Sequence, residues 1–156
     1  PLGGIKEDWT KPGPARRELV KRLHVAGVMA EADGLVIGIR TPLDAKENIR
    51  LLKEIDSPAV KIYYSFQTAL DNHRDIISEL RTLGKDRICQ IHASNTDGVT
   101  LDRDTALDMP RIKETLDRMG WSGWLVVERS RDTTEVRNVR KNFGTNIRYL
   151  KEVFQK

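Results

Sequence analysis

The chain repeats one local pattern four times: a short apolar segment ends on a polar residue, and a helical pattern follows. Residues 87–95 show the pattern most clearly, because their apolar run ends at His92 and then breaks into small polar residues. The other three segments are 35–39, 60–64 and 124–128, with Arg40, Ser65 and Glu128 at their carboxyl ends. Buried parallel strands have this composition when their carboxyl ends open into a site.

Helical periodicity precedes the first of these segments and follows each of them. Asp44 and Asp108 stand where helix N-caps are expected, since their carboxylates can accept hydrogen bonds from first-turn amides. The predicted helices are 15–32, 45–55, 71–83, 109–119 and 136–154, and the predicted loops include 1–14 and 65–70. The apolar stripe of the last helix consists of Val136, Val139, Phe143, Ile147, Leu150 and Phe154.

This order, α(βα)₄, predicts a single α/β domain over residues 1–156, with a parallel sheet and right-handed crossovers. The strands are apolar throughout, which predicts that both faces of the sheet are covered. Four such units make either an open doubly wound sheet or half of a (βα)₈ TIM barrel. No glycine-rich phosphate loop follows any strand, and this argues against nucleotide binding.

Two loops at the predicted carboxyl edge carry candidate substrate-binding residues. The connection over 93–107 is the longest in the chain, and long loops at strand ends often carry function. Its Asn95 and Asp97 contact a sugar or make turns. Arg129 and Arg131 follow the last strand, where TIM barrels often bind phosphate, although a solvated charged loop also explains them.

Composition excludes several classes of protein. The chain is 38% hydrophobic and 32% charged, with no apolar run near the roughly 20 residues that span a membrane. Lys and Arg alternate with Asp and Glu and aromatics are 6%, so no nucleic-acid partner is expected. The single cysteine, Cys89, and the absence of signal-peptide features predict a cytoplasmic location. The start at Pro1, without a methionine, suggests a processed or truncated protein.

Segments 37–41, 62–66, 90–92 and 125–128 resemble, in this order and spacing, the xylose isomerase-like TIM-barrel superfamily, in particular its sugar phosphate isomerase/epimerase group. The resemblance covers nearly the whole chain and implies that it is the carboxyl-terminal half of that barrel. In that family Glu, Asp, His and Glu at these four strand ends hold Mn²⁺, Mg²⁺, Co²⁺ or Zn²⁺. The two glutamates also move the proton during isomerisation or epimerisation.

This chain departs from the family pattern at two of these four positions. His92 and Glu128 match the family's ligands, and Glu128 would be a catalytic base, but Arg40 and Ser65 replace the other two. A guanidinium is permanently charged and offers no lone pair to a metal. We therefore expect His92 and Glu128 to be vestigial ligands, with no cofactor unless the family's divalent site survives.

A half-barrel would leave two strand edges and its inner face uncovered. The simplest remedy is a homodimer that closes eight strands. Closure would place the first strand of one copy beside the last strand of the other, so we expect an inter-chain ion pair between Arg40 and Glu128.

The sequence leaves three functions open. The first is a degenerate or engineered half-barrel scaffold that forms a homodimer and has lost its metal-dependent activity. The second is a metal-dependent sugar or sugar phosphate isomerase/epimerase, or a fragment of one. The third is a sugar- or phosphate-binding module without catalysis, which rests on Arg129 and Arg131 alone.

Overall fold

A computed structural model describes residues 9–155, so residues 1–8 of the predicted N-terminal loop, Pro1 among them, and residue 156 lie outside the described residues. Helices and strands alternate as the sequence predicts. The helices are α1 Pro14–Ala32, α2 Ala45–Ile55, α3 Phe66–Asp71, α4 Ile76–Leu83, α5 Met109–Met119 and α6 Val139–Phe154. The strands are β1 Ile37–Ile39, β2 Val60–Ser65, β3 Ile88–His92 and β4 Trp124–Val126.

The four strands form one parallel sheet in the order β1-β2-β3-β4. A doubly wound sheet reverses its strand order at a switch point, whereas this order follows the chain throughout. Each right-handed crossover therefore adds the next strand on the same side and leaves its helix on the same face of the sheet. The prediction of half a TIM barrel is confirmed, and the doubly wound alternative is excluded.

The prediction that both faces of the sheet are covered is wrong for the described residues. The helices pack on one face, where the core contains Leu51, Leu80 and Ile91. On the opposite face, Trp124 is 78% exposed, and Tyr63 is half-buried. The two faces differ in composition: the register places Tyr63, Gln90 and Trp124 together on the open face, whereas Ile62, Tyr64 and Ile91 are buried in the core on the covered face.

The connection after β2 differs from its prediction. Residues 66–71 form the short helix α3 instead of a loop, because Ser65 Oγ accepts a hydrogen bond from the Thr68 amide (3.2 Å) and caps it. The chain then breaks at His73, whose φ is 54°, before α4 begins. The N-caps predicted at Asp44 and Asp108 are present, and Asp44 forms a full capping box with Glu47.

A buried carboxylate joins β2 to two helices on the covered face. Glu79 of α4 accepts hydrogen bonds from the Tyr64 hydroxyl (2.9 Å) and from the Ala45 amide (3.0 Å) at the start of α2. Arg74 Nη1 lies 3.9 Å from the same carboxylate. Burial raises the pKa of Glu79 above its ordinary value, and these three partners only partly offset the effect.

This raised pKa predicts a pH dependence of folding. A group with a higher pKa in the folded state than in the unfolded state adds to the free energy of unfolding at low pH. This contribution is fully present below the pKa of the unfolded state, about 4.3 for glutamate, and is lost as pH rises through the pKa of the folded state. We expect the free energy of unfolding, measured from pH 4 to pH 8, to fall with rising pH more steeply in the wild type than in Glu79→Gln. Parallel pH profiles for the two proteins would contradict this assignment.

Candidate functional site

Four strand-end residues meet at the carboxyl edge of the sheet. Ser65 and His92 are register partners on β2 and β3, and Glu128 lies two residues beyond the end of β4. His92 Nε2 lies 2.9 Å from Glu128 Oε2, and Ser65 Oγ lies 3.3 Å from His92 Nδ1. Arg40, just after β1, places its Nη1 3.5 Å from the same Glu128 oxygen. The structure thus brings together the four positions singled out in the sequence.

His92 is the buried centre of this cluster, with 0% of its surface exposed. Burial lowers the pKa of His92 below its ordinary value, and the Arg40 charge lowers it further, whereas Glu128 acts in the opposite direction. We therefore assign a neutral imidazole at neutral pH. Its Nε2–H then donates to Glu128, and its Nδ1 accepts from the Ser65 hydroxyl.

These side chains do not fit a divalent cation. The two candidate ligands, His92 and Glu128, are hydrogen-bonded to each other, and the guanidinium of Arg40 already neutralises the carboxylate. Ser65 offers a neutral hydroxyl that also caps α3. Within residues 9–155 no group of three or more His, Cys, Asp or Glu side chains could hold a metal ion. Sites for Mn²⁺ or Mg²⁺ need several oxygen or imidazole ligands without a competing positive charge.

Arg40 and Glu128 form an ion pair within one chain, between residues 88 positions apart. The sequence predicted this pair between two chains, because closure of a dimer would place the first strand of one copy beside the last strand of the other. The structure contains a single chain, so the inter-chain pair stays a prediction. The strand ends converge because a barrel-type sheet is curved, so a long arginine side chain reaches across the mouth of the half-barrel.

The predicted substrate-binding residues make an internal clamp between two loops. Asp97 accepts hydrogen bonds from the Arg131 backbone amide and Nε, both at 3.1 Å, and from Arg129 Nη1 at 3.3 Å. The Arg131 guanidinium holds the pKa of Asp97 below its ordinary value. Asn95 donates its side-chain amide to Asp104 (3.0 Å). The side chains of Asn95, Asp97, Arg129 and Arg131 therefore all form hydrogen bonds with groups of the same chain.

Sequence reasoning missed the buried polar residues that support the site. Ser94 Oγ lies 3.1 Å from His92 Nε2 and accepts hydrogen bonds from the backbone amides of Glu128 (3.4 Å) and Arg129 (3.3 Å). Ser130, fully buried at φ 64°, accepts from the Asn95 amide (2.8 Å). The signal in the sequence was the two serines placed two residues after His92 and Glu128.

The apolar stripe predicted on the last helix is only partly buried in α6. The buried residues of this helix are Asn142, Asn146 and Leu150, whereas Val139 and Ile147 are 56% and 47% exposed. Asn142 accepts from the Asp132 amide and Asn146 from the Leu101 amide, both at 2.8 Å. The helix turns its asparagines toward the loops at the carboxyl edge, because those loops present backbone groups that need partners.

Comparisons with known proteins agree with this fold. The family model described as xylose isomerase-like TIM barrel matches residues 2–153. A structure of D-psicose 3-epimerase in the presence of D-fructose matches with a TM-score of 0.74 at 13% identity, over 95% of this chain and 60% of that chain. The 3-keto-D-glucoside 4-epimerase of E. coli gives a TM-score of 0.73 at 20% identity, over 92% and 57%. A xylose isomerase domain protein from Planctomyces limnophilus gives 0.73 at 17% identity, over 92% and 57%.

This chain therefore spans little more than half the length of these three structures, 57% to 60%. The search of curated proteins returned no match. In residues 9–155, none of the helices combines the length and hydropathy needed to cross a membrane.

Proposed function

Because the chain belongs to the xylose isomerase-like TIM barrel family, we propose that it is a half-barrel scaffold in which Arg40 takes the place of the divalent cation. In this proposal the arginine provides the positive charge beside Glu128 and His92, and metal-dependent isomerisation is lost. The observation that carries the proposal is the continuous network from Arg40 to Glu128 (3.5 Å) to His92 (2.9 Å).

Electrostatics supports this proposal over the alternative that His92 and Glu128 still bind a divalent cation. A divalent ion placed between His92 and Glu128 would have to displace their mutual hydrogen bond and approach a guanidinium at close range. Two unit charges 4 Å apart interact by about 4 kcal/mol at the effective dielectric constant of a protein surface, and a divalent ion doubles that repulsion. Coordination by His92 and Glu128 alone does not offset this repulsion, and a further carboxylate ligand would be needed.

The loop residues support a scaffold over a module that binds sugar or phosphate. Arg129 and Arg131 both contact Asp97, so binding an anionic ligand would compete with an existing carboxylate. The side chain of Arg131 is 29% exposed, and its Nε and Nη2 both donate hydrogen bonds to the Asp97 carboxylate. We therefore propose that these residues join the loops after β3 and β4.

Divalent-metal titration tests the proposal. We expect the wild type to bind Mn²⁺ no more tightly than the millimolar range in isothermal titration calorimetry. Arg40→Glu with Ser65→Asp should raise the affinity at least about tenfold, because it removes the cation and adds two carboxylate ligands. The matched control is Arg148→Glu at an exposed position of α6, which makes the same change of charge as Arg40→Glu but does not place a carboxylate beside His92.

The competing function is a metal-dependent sugar isomerase or epimerase, or a fragment of one. It is favoured by His92 and Glu128, which lie next to each other at the strand ends of a fold shared with several sugar epimerases. Micromolar binding of Mn²⁺ to the wild type would reject the scaffold and favour this competitor. Equal gains in Arg148→Glu and in the double variant would show that total charge excludes the metal, which would also reject the proposed role of Arg40.

A further inference from the structure

We propose that the outer side of α6 binds an acidic α-helix of a partner protein, which crosses α6 at Gly144. This surface, the α6 basic stripe, consists of Arg140, Gly144, Arg148 and Lys151. It lies on the side of the helix that points away from the core, and its binding does not depend on the strand-end cluster or on a metal. The direction of the stripe, its unbalanced charge and its central glycine all support such a partner.

The α6 basic stripe is opposite the buried side of the helix. The buried residues of α6 are Asn142, Asn146 and Leu150. Each of the first three stripe residues lies two positions before one of them, which corresponds to about 200° around a helix. The two sets therefore lie on opposite sides, and all four stripe residues are exposed. The helices of a TIM barrel form its outer ring, so a continuation of the barrel beyond β4 leaves this side of α6 uncovered.

The stripe carries positive charge without matching carboxylates in the described part of the chain. Within residues 9–155, Arg140, Arg148 and Lys151 form no ion pair. On α1 and α5, by contrast, exposed cations form ion pairs with carboxylates four positions away, as Arg118 does with Glu114. Arg148 and Lys151 are three positions apart, a spacing at which like charges destabilise a helix. Carboxylates supplied by a partner would offset this repulsion.

Gly144 lies in the middle of the stripe, and its surroundings in the described part of the chain do not require a glycine. Glycine is one of the least favourable residues in the interior of a helix. The φ of Gly144 is not in the left-handed region. A Cβ added at Gly144 would meet no atom within 4 Å, so no neighbour excludes a side chain there. The absence of a side chain lets the backbone of a partner approach α6 closely, and this approach would account for the glycine.

These features favour a helix over a nucleic acid or a membrane. Arg140, Gly144 and Arg148 repeat every four residues, and a second helix packs along rows with this spacing. The stripe contains no aromatic side chain on which a base could stack and no apolar side chain that could enter a bilayer. Asp or Glu residues four positions apart on the partner would lie about 6 Å apart along its axis, within reach of the arginine side chains.

Titration of the ¹⁵N-labelled 156-residue chain with a helical peptide tests the proposal by nuclear magnetic resonance. The probe is an alanine-based peptide of about 20 residues with glutamate at every fourth position, and a matched peptide carries lysine instead. We expect the amide shifts to change along α6, with a dissociation constant below about 1 mM at about 50 mM salt. Binding should weaken at least about fivefold at about 300 mM salt, because the contacts are exposed ion pairs. The lysine peptide should not bind.

Two variants separate charge from close approach. Arg148→Glu should raise the dissociation constant at least about tenfold, because it reverses a charge in the stripe. Gly144→Leu keeps every charge and should also raise it at least about tenfold, because the new side chain occupies the crossing point. Its melting temperature should not fall below that of the wild type, since leucine favours a helix more than glycine does. The control is Arg81→Glu at an exposed position of α4, which should bind the glutamate peptide like the wild type.

Several results would overturn the proposal. Unchanged binding in Gly144→Leu would show that charge alone explains the contact, and an equal loss in Arg81→Glu would show that total charge does. Absence of shift changes along α6 at millimolar glutamate peptide would also reject it. Tighter binding of a DNA duplex, or of vesicles made of equal parts phosphatidylserine and phosphatidylcholine, would reject a helix as the partner if Arg148→Glu abolished that binding.

Discussion

Replacing Asn146 by alanine should lower the free energy of unfolding by about 3–5 kcal/mol, because it leaves several buried backbone groups without partners. Asn146 is 0% exposed. Its Oδ1 accepts from the Leu101 amide (2.8 Å), and its Nδ2 donates to the Ser130 carbonyl (2.8 Å) and the Arg129 carbonyl (3.4 Å). Each buried group left unsatisfied costs about 1–3 kcal/mol. Urea unfolding followed by circular dichroism measures the loss.

Two further variants make this result interpretable. Asn146→Asp keeps the acceptor for the Leu101 amide but removes both donor hydrogens and places a carboxylate against the Ser130 carbonyl, so we expect at least as large a loss. Arg148→Ala, at an exposed position of the same helix, should stay within about 0.5 kcal/mol of the wild type. A loss below about 1 kcal/mol in Asn146→Ala would mean that water replaces the amide, contrary to our assignment.

Phe66→Ala is expected to have the second large effect, a loss of about 3–5 kcal/mol in the free energy of unfolding. Phe66 is 0% exposed and contacts Tyr64 edge-on, with ring centroids 6.1 Å apart. It is the first residue of α3 and directly follows Ser65. A cavity here removes packing beneath the carboxyl end of β2, where the site lies.

The matched variants are Phe66→Leu and Phe154→Ala. Phe66→Leu fills most of the volume, so its loss should be clearly smaller than that of Phe66→Ala. Phe154 is half-buried at the end of α6, so its replacement by alanine leaves no closed cavity. If Phe66→Ala costs no more than Phe154→Ala in the same urea titration, then Phe66 does not anchor β2 in the way we describe.

Local signals in the sequence determine much of this protein. Strand and helix periods alternate because burial of apolar side chains follows the geometry of each element. Capping residues such as Asp44 and Asp108 act on amides within the next turn, so their positions are readable from the chain. The residues at the four strand ends are readable too, because the carboxyl ends of parallel strands meet at one edge of the sheet.

Tertiary structure alone decided which groups those residues meet. The contact between Arg40 and Glu128 spans 88 positions, and the bond from the Leu101 amide to Asn146 spans 45. No local period encodes such pairs, because they depend on the curvature of the sheet and on which backbone groups the loops leave unpaired. For the same reason, the sequence identified an apolar stripe on α6 but not its direction. The buried backbone groups at the carboxyl edge turned Asn142 and Asn146 inward, and this left Ile147 exposed beside β4.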